Sequence, residues 1–134
     1  MISPAFDAAF RATWPAADHV QAGGLSVGRG LGGGGRVSAA RATGPWRPAD
    51  IDAAIAVQRG WDQPPLFAVD DGDRALAQAL SARGWRPFRP TVLMQAAAAM
   101  LAHRPIPTMT ALPVWPPLAI QRDLWTELGV GPAR

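Results

Sequence analysis

Gly24-Leu25-Ser26-Val27-Gly28 has the residue types and spacing of a nucleophile elbow, G-x-S-x-G, and Asp70 and His103 follow in the order serine, acid, histidine. In such a site a sharp strand-to-helix turn exposes the serine hydroxyl, and a histidine oriented by the acid removes its proton. Here a glycine loop follows Ser26 in place of a helix, so Ser26 reads as an ordinary strand residue. A second pattern lies just downstream. Gly28, Gly30 and Gly33 match G-x-G-x-x-G, while Arg29, Gly32 and Gly34 match (Q/R)-x-x-G-x-(G/A), a loop form whose backbone N–H groups cradle a pyrophosphate. Arg29, Gly32 and Gly34 are therefore the candidate cofactor-binding residues. Six glycines in the eight residues 28–35 make such matches easy to satisfy, and a flexible hairpin loop is the preferred reading of the segment.

The helix expected after Pro48 offers a further anion site, but Asp50 and Asp52 stand in its first turn, satisfy its dipole and repel a phosphate. Arg47 beside them compensates in part. His19 and His103 have no partner at metal-ligand spacing, so no metal is expected. Asp70-Asp71-Gly72-Asp73 lacks the length and glutamate of a calcium loop and reads as a turn with a helix cap. Asp50, Asp70 and His103 are all available as a catalytic base, with nothing to choose among them. The six tryptophans read as core, with Trp14 and Trp46 as packing lids beside prolines.

These residues must be positioned by a chain of 134 residues, enough for one domain. The absence of cysteine excludes disulfides, thiolate metal sites and cysteine nucleophiles, and leaves the cytoplasm as the expected compartment. All 13 basic residues are arginine. The pI of 11.3 thus reflects missing lysine and tyrosine more than a basic surface, since net charge is +3. The arginines are spread along the chain, which argues against nucleic-acid binding. The longest apolar stretch, Val92 to Ala102, is interrupted by Gln95 and too short to span a bilayer, so no membrane segment or signal peptide is expected.

Spacing predicts a helix over 3–13, capped by Ser3, with Phe6 and Phe10 one turn apart. Val20–Arg29 reads as a strand, the glycine segment as its connection, and 36–43 as a second strand. The turn 44–48 leads to a helix whose inner face carries Ile51, Ala54, Ile55 and Gln58 and which ends at Gly60. Leu66–Val69 reads as a short buried strand. A helix with Leu76, Ala79 and Leu80 inward follows, closed by Gly84, and then a longer strand over 88–97. The expected division is an α/β domain over 1–102, a proline-rich linker or edge segment over 103–117, and a helical segment over 118–134 with an uncovered apolar face.

Leu66-Phe67-Ala68-Val69-Asp70, the helix Ala75-Leu76-Ala77-Gln78-Ala79-Leu80-Ser81-Ala82-Arg83-Gly84-Trp85-Arg86-Pro87-Phe88, and Thr91-Val92-Leu93-Met94 together resemble the GNAT acetyltransferase superfamily. Trp85 takes the aromatic place after Gly84. The resemblance implies a mixed, mostly antiparallel α/β sheet with helices on both faces. It also implies transfer of an acetyl group from acetyl-CoA to a small-molecule or peptide amine. The phenol that often serves the family as general acid has no counterpart, because the chain contains no tyrosine. Where the family's pyrophosphate loop belongs, between the strand over 36–43 and the helix after Pro48, this chain has Gly44-Pro45-Trp46-Arg47-Pro48-Ala49-Asp50. In this it is similar to the degenerate N-terminal domain of tandem GNAT proteins, whose second domain carries acetyl-CoA. That implies a second GNAT domain or a homodimer partner, with this chain alone inactive. A non-catalytic module that binds a ligand or protein on a GNAT-like fold is the alternative.

Overall fold

The computed structural model describes residues 3–102, 105 and 114–131. Helix α1 (Pro4–Thr13) begins where Ser3 Oγ accepts the Phe6 N–H at 3.2 Å, with Pro4 in its first turn. Strands β1 (Asp18–Ala22) and β2 (Leu25–Arg29) form a hairpin, with Val20 opposite Val27 and Ala22 opposite Leu25. The short helix α2 (Gly35–Ser38) then leads to β3 (Ala40–Ala42), which pairs antiparallel with β2. Helices α3 (Pro48–Gly60), α4 (Arg74–Ala82), α5 (Ala98–Leu101) and α6 (Ala119–Glu127) follow. The fold is thus mixed α/β, with a three-stranded antiparallel sheet in the order β1-β2-β3. No helix among the described residues is long and apolar enough to cross a membrane.

Strand alternation divides the sheet into two chemically different faces. Ala22, Leu25, Val27 and Ala40 point to one face and meet Ile51 and Ala54 of α3 and Leu76 and Leu80 of α4. Leu25, Val27, Ile51 and Leu76 are essentially sealed from solvent, and each contributes about 1.5–3 kcal/mol by burial. The other face carries His19, Gln21, Ser26, Gly28 and Arg41 in register. Helix α1 lies over this polar face, joined to it by the Asp7–Arg41 ion pair at 3.3 Å.

Several sequence expectations change here. The single strand expected over Val20–Arg29 is broken into β1 and β2, because Gly23 at φ +61° lets the chain reverse inside it. The hairpin turn therefore lies at Gly23-Gly24; of the 28–35 segment, Gly28 and Arg29 end β2, and the rest belongs to a longer connection between β2 and β3. The second strand begins only at Ala40, because 35–38 form a helical turn secured by Ser38 Oγ on the Gly34 carbonyl at 2.8 Å. The strand expected over 66–69 reduces to one parallel bridge, Ala40 with Phe67. No strand forms over 88–97. Its apolar residues find no buried face, Val92 and Met94 being more than four-fifths exposed. The predicted helices over 3–13, 48–60, 74–82 and near 118–128 are present.

Candidate functional site

Arg29, Gly32 and Gly34 together line one open groove of about 500 Å³. Residues 61–66 and Phe88 line it as well. Positive φ at Gly32 (+81°) and Gly34 (+85°) explains the glycines at these two places. A Cβ at either position would meet nothing within 4 Å, so the free space there is open to a ligand or to solvent. Arg29 lies with its guanidinium 5.7 Å from the centre of the Trp61 ring, a cation–π distance.

Two glutamines tie together the backbones beside this groove, and of the two Gln63 lines it. Gln58, buried on α3, donates from Nε2 to the carbonyls of Ser38 (3.0 Å) and Leu66 (2.9 Å) and accepts the Leu66 N–H at Oε1 (3.3 Å). Gln63 donates to the carbonyls of Gly28 (3.0 Å) and Ser38 (2.7 Å) and accepts the Gly30 N–H (2.9 Å). These amides supply donors and acceptors where the β2, β3 and 66–68 backbones diverge, so the peptide groups they reach there are satisfied. Gln58 showed as a polar residue on the inner face of a predicted helix. The role of Gln63 had no periodic signal, because it lies in a loop.

Arg29 is the one cation among the described residues that line the groove, little positive charge for a pyrophosphate. Trp61, the C-cap of α3, lines the groove, and the C-terminal end of a helix favours cations. Asp62 also lines it and offsets the charge of Arg29. Leu31, Trp61, Pro64, Pro65, Leu66 and Phe88 make the rest of the wall largely apolar.

The N-terminus of α3 lies at the opposite end of the sheet, and there a carboxylate stands in the first turn. Asp50, buried in the first turn, accepts the N–H of Gly24 and the N–H of Arg47 at Oδ2, each at 3.0 Å. The Gly24 bond, then the Arg47 bond, hold the Asp50 carboxyl below the usual carboxylate range. Asp50 is thus a cap and a staple between α3 and the β1–β2 turn, not a free base. Asp52 pairs with Arg83 at 3.4 Å.

Ser26 does not stand at a nucleophile elbow. Ser26 is buried in the middle of β2, opposite Gln21 on one side and Arg41 on the other, with no following helix to strain it. Asp70 is exposed at a turn, where its carbonyl accepts the Asp73 N–H at 2.8 Å. His103 lies outside the described residues. Among the described residues no group of three or more histidine or acidic side chains could hold a metal ion.

A cluster not expected from the sequence lies between α1 and the polar sheet face. Arg11, Arg36 and Arg41 surround Phe10, with Arg36 3.8 Å over the ring centre. Asp7 pairs with Arg11 at 2.8 Å and with Arg41 at 3.3 Å, and Arg36 donates to the Phe10 carbonyl and to Thr13 Oγ1. Burial first, then the neighbouring Arg11, lowers the Arg41 pKa. The partly open cavity there, about 30 Å³ and touched by Ser26 and Gly28, has room for water only. The contacts from Arg36 and Arg41 back to α1 span 26 and 34 residues of sequence, so local spacing carried no sign of them.

No family model, curated protein or solved structure matches this chain.

Proposed function

We propose that this chain is the cofactor-free half of a GNAT-type N-acetyltransferase, acting in the cytoplasm beside a second domain that holds acetyl-CoA and presents it to an amine. The family assignment rests on the resemblance of residues 66–94 and on the order of elements, helix, hairpin, helix, short extended segment, helix. The cofactor-free part rests on one observation, the double hydrogen bond to Asp50 Oδ2. A pyrophosphate at the start of α3 would have to displace this carboxylate from its own helix cap and overcome the repulsion between two anions. In this reading the chain shapes the acceptor side of a shared site and supplies no catalytic base. Isothermal titration of the chain with acetyl-CoA tests it. No heat of binding is expected, and clear micromolar affinity would overturn the cofactor-free assignment.

A second reading, a non-catalytic ligand-binding module, is favoured by the groove itself. Its apolar wall, one arginine over a tryptophan and one aspartate suit a peptide or an aromatic small molecule better than a polyanion. Amide chemical-shift mapping with proline- and aromatic-containing peptides tests this. Shifts are expected at Gly32, Gly34 and the Trp61 indole; shifts elsewhere only, or none, would remove the reading.

A further inference from the structure

Much of the exposed apolar surface lies after Trp85, where Phe88, Val92, Met94, Leu101, Ile120 and Leu128 are each at least 60% exposed.

Two parts of this surface are complementary in their backbones. The Leu66 carbonyl accepts the Ala40 N–H at 2.8 Å and the Ala68 N–H donates to the Ala40 carbonyl at 2.9 Å. By strand alternation the N–H and C=O groups of Phe67 and Val69 then point away from β3. None of these four groups has a hydrogen-bond partner among the described residues. They form an open sheet edge beside a three-stranded sheet, a template for another strand. Residues 90–96 are the matching piece. They carry β-branched and long apolar side chains, Thr91-Val92-Leu93-Met94, lie outside any helix or strand, and make no backbone hydrogen bond within the described chain.

We propose that residues 90–96 of one copy add as a strand to the Phe67–Val69 edge of a second copy, giving a reciprocally exchanged dimer. Because edge and strand belong to the same polypeptide, two copies satisfy both edges at once and the assembly closes with two-fold symmetry. The added strand carries Val92 and Met94 out of water and extends the sheet beyond Phe67, whose ring meets Trp85 edge-on at 5.1 Å. The pairing is independent of acetyl-CoA, so it stands or falls apart from the acetyltransferase reading.

Sedimentation equilibrium of the full chain, with hydrogen exchange at the Phe67 and Val69 amides, tests the proposal. A mass of twice 14.1 kDa is expected, with both amides protected in concentrated solution and losing protection on dilution. Val92→Pro removes a donor from a segment that makes no backbone bond within its own chain, so the circular dichroism of the fold stays unchanged while association weakens by about tenfold or more. A monomer at every concentration overturns the proposal. So does a Val92→Pro dimer as tight as the wild type. Protection of Phe67 and Val69 that dilution leaves unchanged also overturns it, since the strand then pairs within its own chain.

Discussion

Asp50 Oδ2 accepts the backbone N–H of Gly24 at 3.0 Å, and this bond joins the first turn of α3 to the turn of the β1–β2 hairpin, 26 residues earlier. The same oxygen caps α3 through the Arg47 N–H. One carboxylate thereby sets where the helix starts and how it meets the sheet. The site that a resemblance would give to a cofactor is used instead to hold two elements together.

Asp50→Asn is expected to lower the urea midpoint at neutral pH, because a neutral amide oxygen accepts these two bonds more weakly than a carboxylate. The folded-state pKa of Asp50 is depressed, so its contribution is present above the ordinary carboxylate pKa of 3.8 and is lost as pH falls through the lower folded value. The wild-type advantage over Asp50→Asn should therefore shrink in acid, below the ordinary carboxylate range. Urea titrations of both proteins across that range check this; a constant difference would mean that charge is not the cause.

Gln58→Ala is expected to cost about 1–3 kcal/mol, since it leaves the Leu66 N–H without its partner, while the Ser38 and Leu66 carbonyls keep Gln63 and the Ala40 N–H. Gln58→Glu should also be strongly destabilising at neutral pH, as an ionised carboxylate cannot donate to either carbonyl. Equilibrium urea unfolding gives both values, and a Glu variant as stable as the wild type would contradict the assigned donors.

The core should be distinguishable from the uncovered segments by truncation. Leu25→Ala and Ile51→Ala are expected to lose about 2–5 kcal/mol each, as both side chains are fully buried. Val92→Ala, at 82% exposure, should change monomer stability by less than about 0.5 kcal/mol under dilute conditions. Thermal melts of the three variants make the comparison.

Two glycines give opposite expectations. A Cβ at Gly24 would lie 2.1 Å from the Pro45 carbonyl oxygen, so Gly24→Ala must move the loop into α3 and should destabilise by about 1–3 kcal/mol. At Gly60, the last residue of α3, a methyl group would meet nothing within 4 Å. Gly60→Ala should therefore stabilise by about 0.5–1 kcal/mol through helix propensity. Paired denaturation curves decide both signs.

Much of the helical framework was legible in the sequence, because its signals are local. Ser3 and Pro4, Pro48 with Asp50, Asp73, and the 3–4-residue spacing of Ile51, Ala54 and Gln58 act within one or two turns of the residues they organise. The strands were less legible. Gly23-Gly24 stands inside an apolar run, and only the approach of Asp50 and Pro45 gives those glycines their necessity. Arg29, Gly32 and Gly34 were picked out by a phosphate-loop pattern, yet what surrounds them, the carbonyl end of α3, Asp62 and an apolar wall, comes from distant parts of the chain.

The composition and local spacing of this chain by themselves determined an α/β protein without thiol chemistry, with its helices capped where hydrogen-bonding side chains and prolines stand. Tertiary structure alone decided that Asp50 serves as a staple, that Gln58 and Gln63 complete the diverging backbones, that three arginines gather around Phe10, and that residues 88–97 find no place in the sheet. The reason is physical. Capping and helical periodicity are satisfied within a few residues, whereas strand pairing, burial of a carboxylate and the charge of a groove depend on groups that only the folded chain brings together.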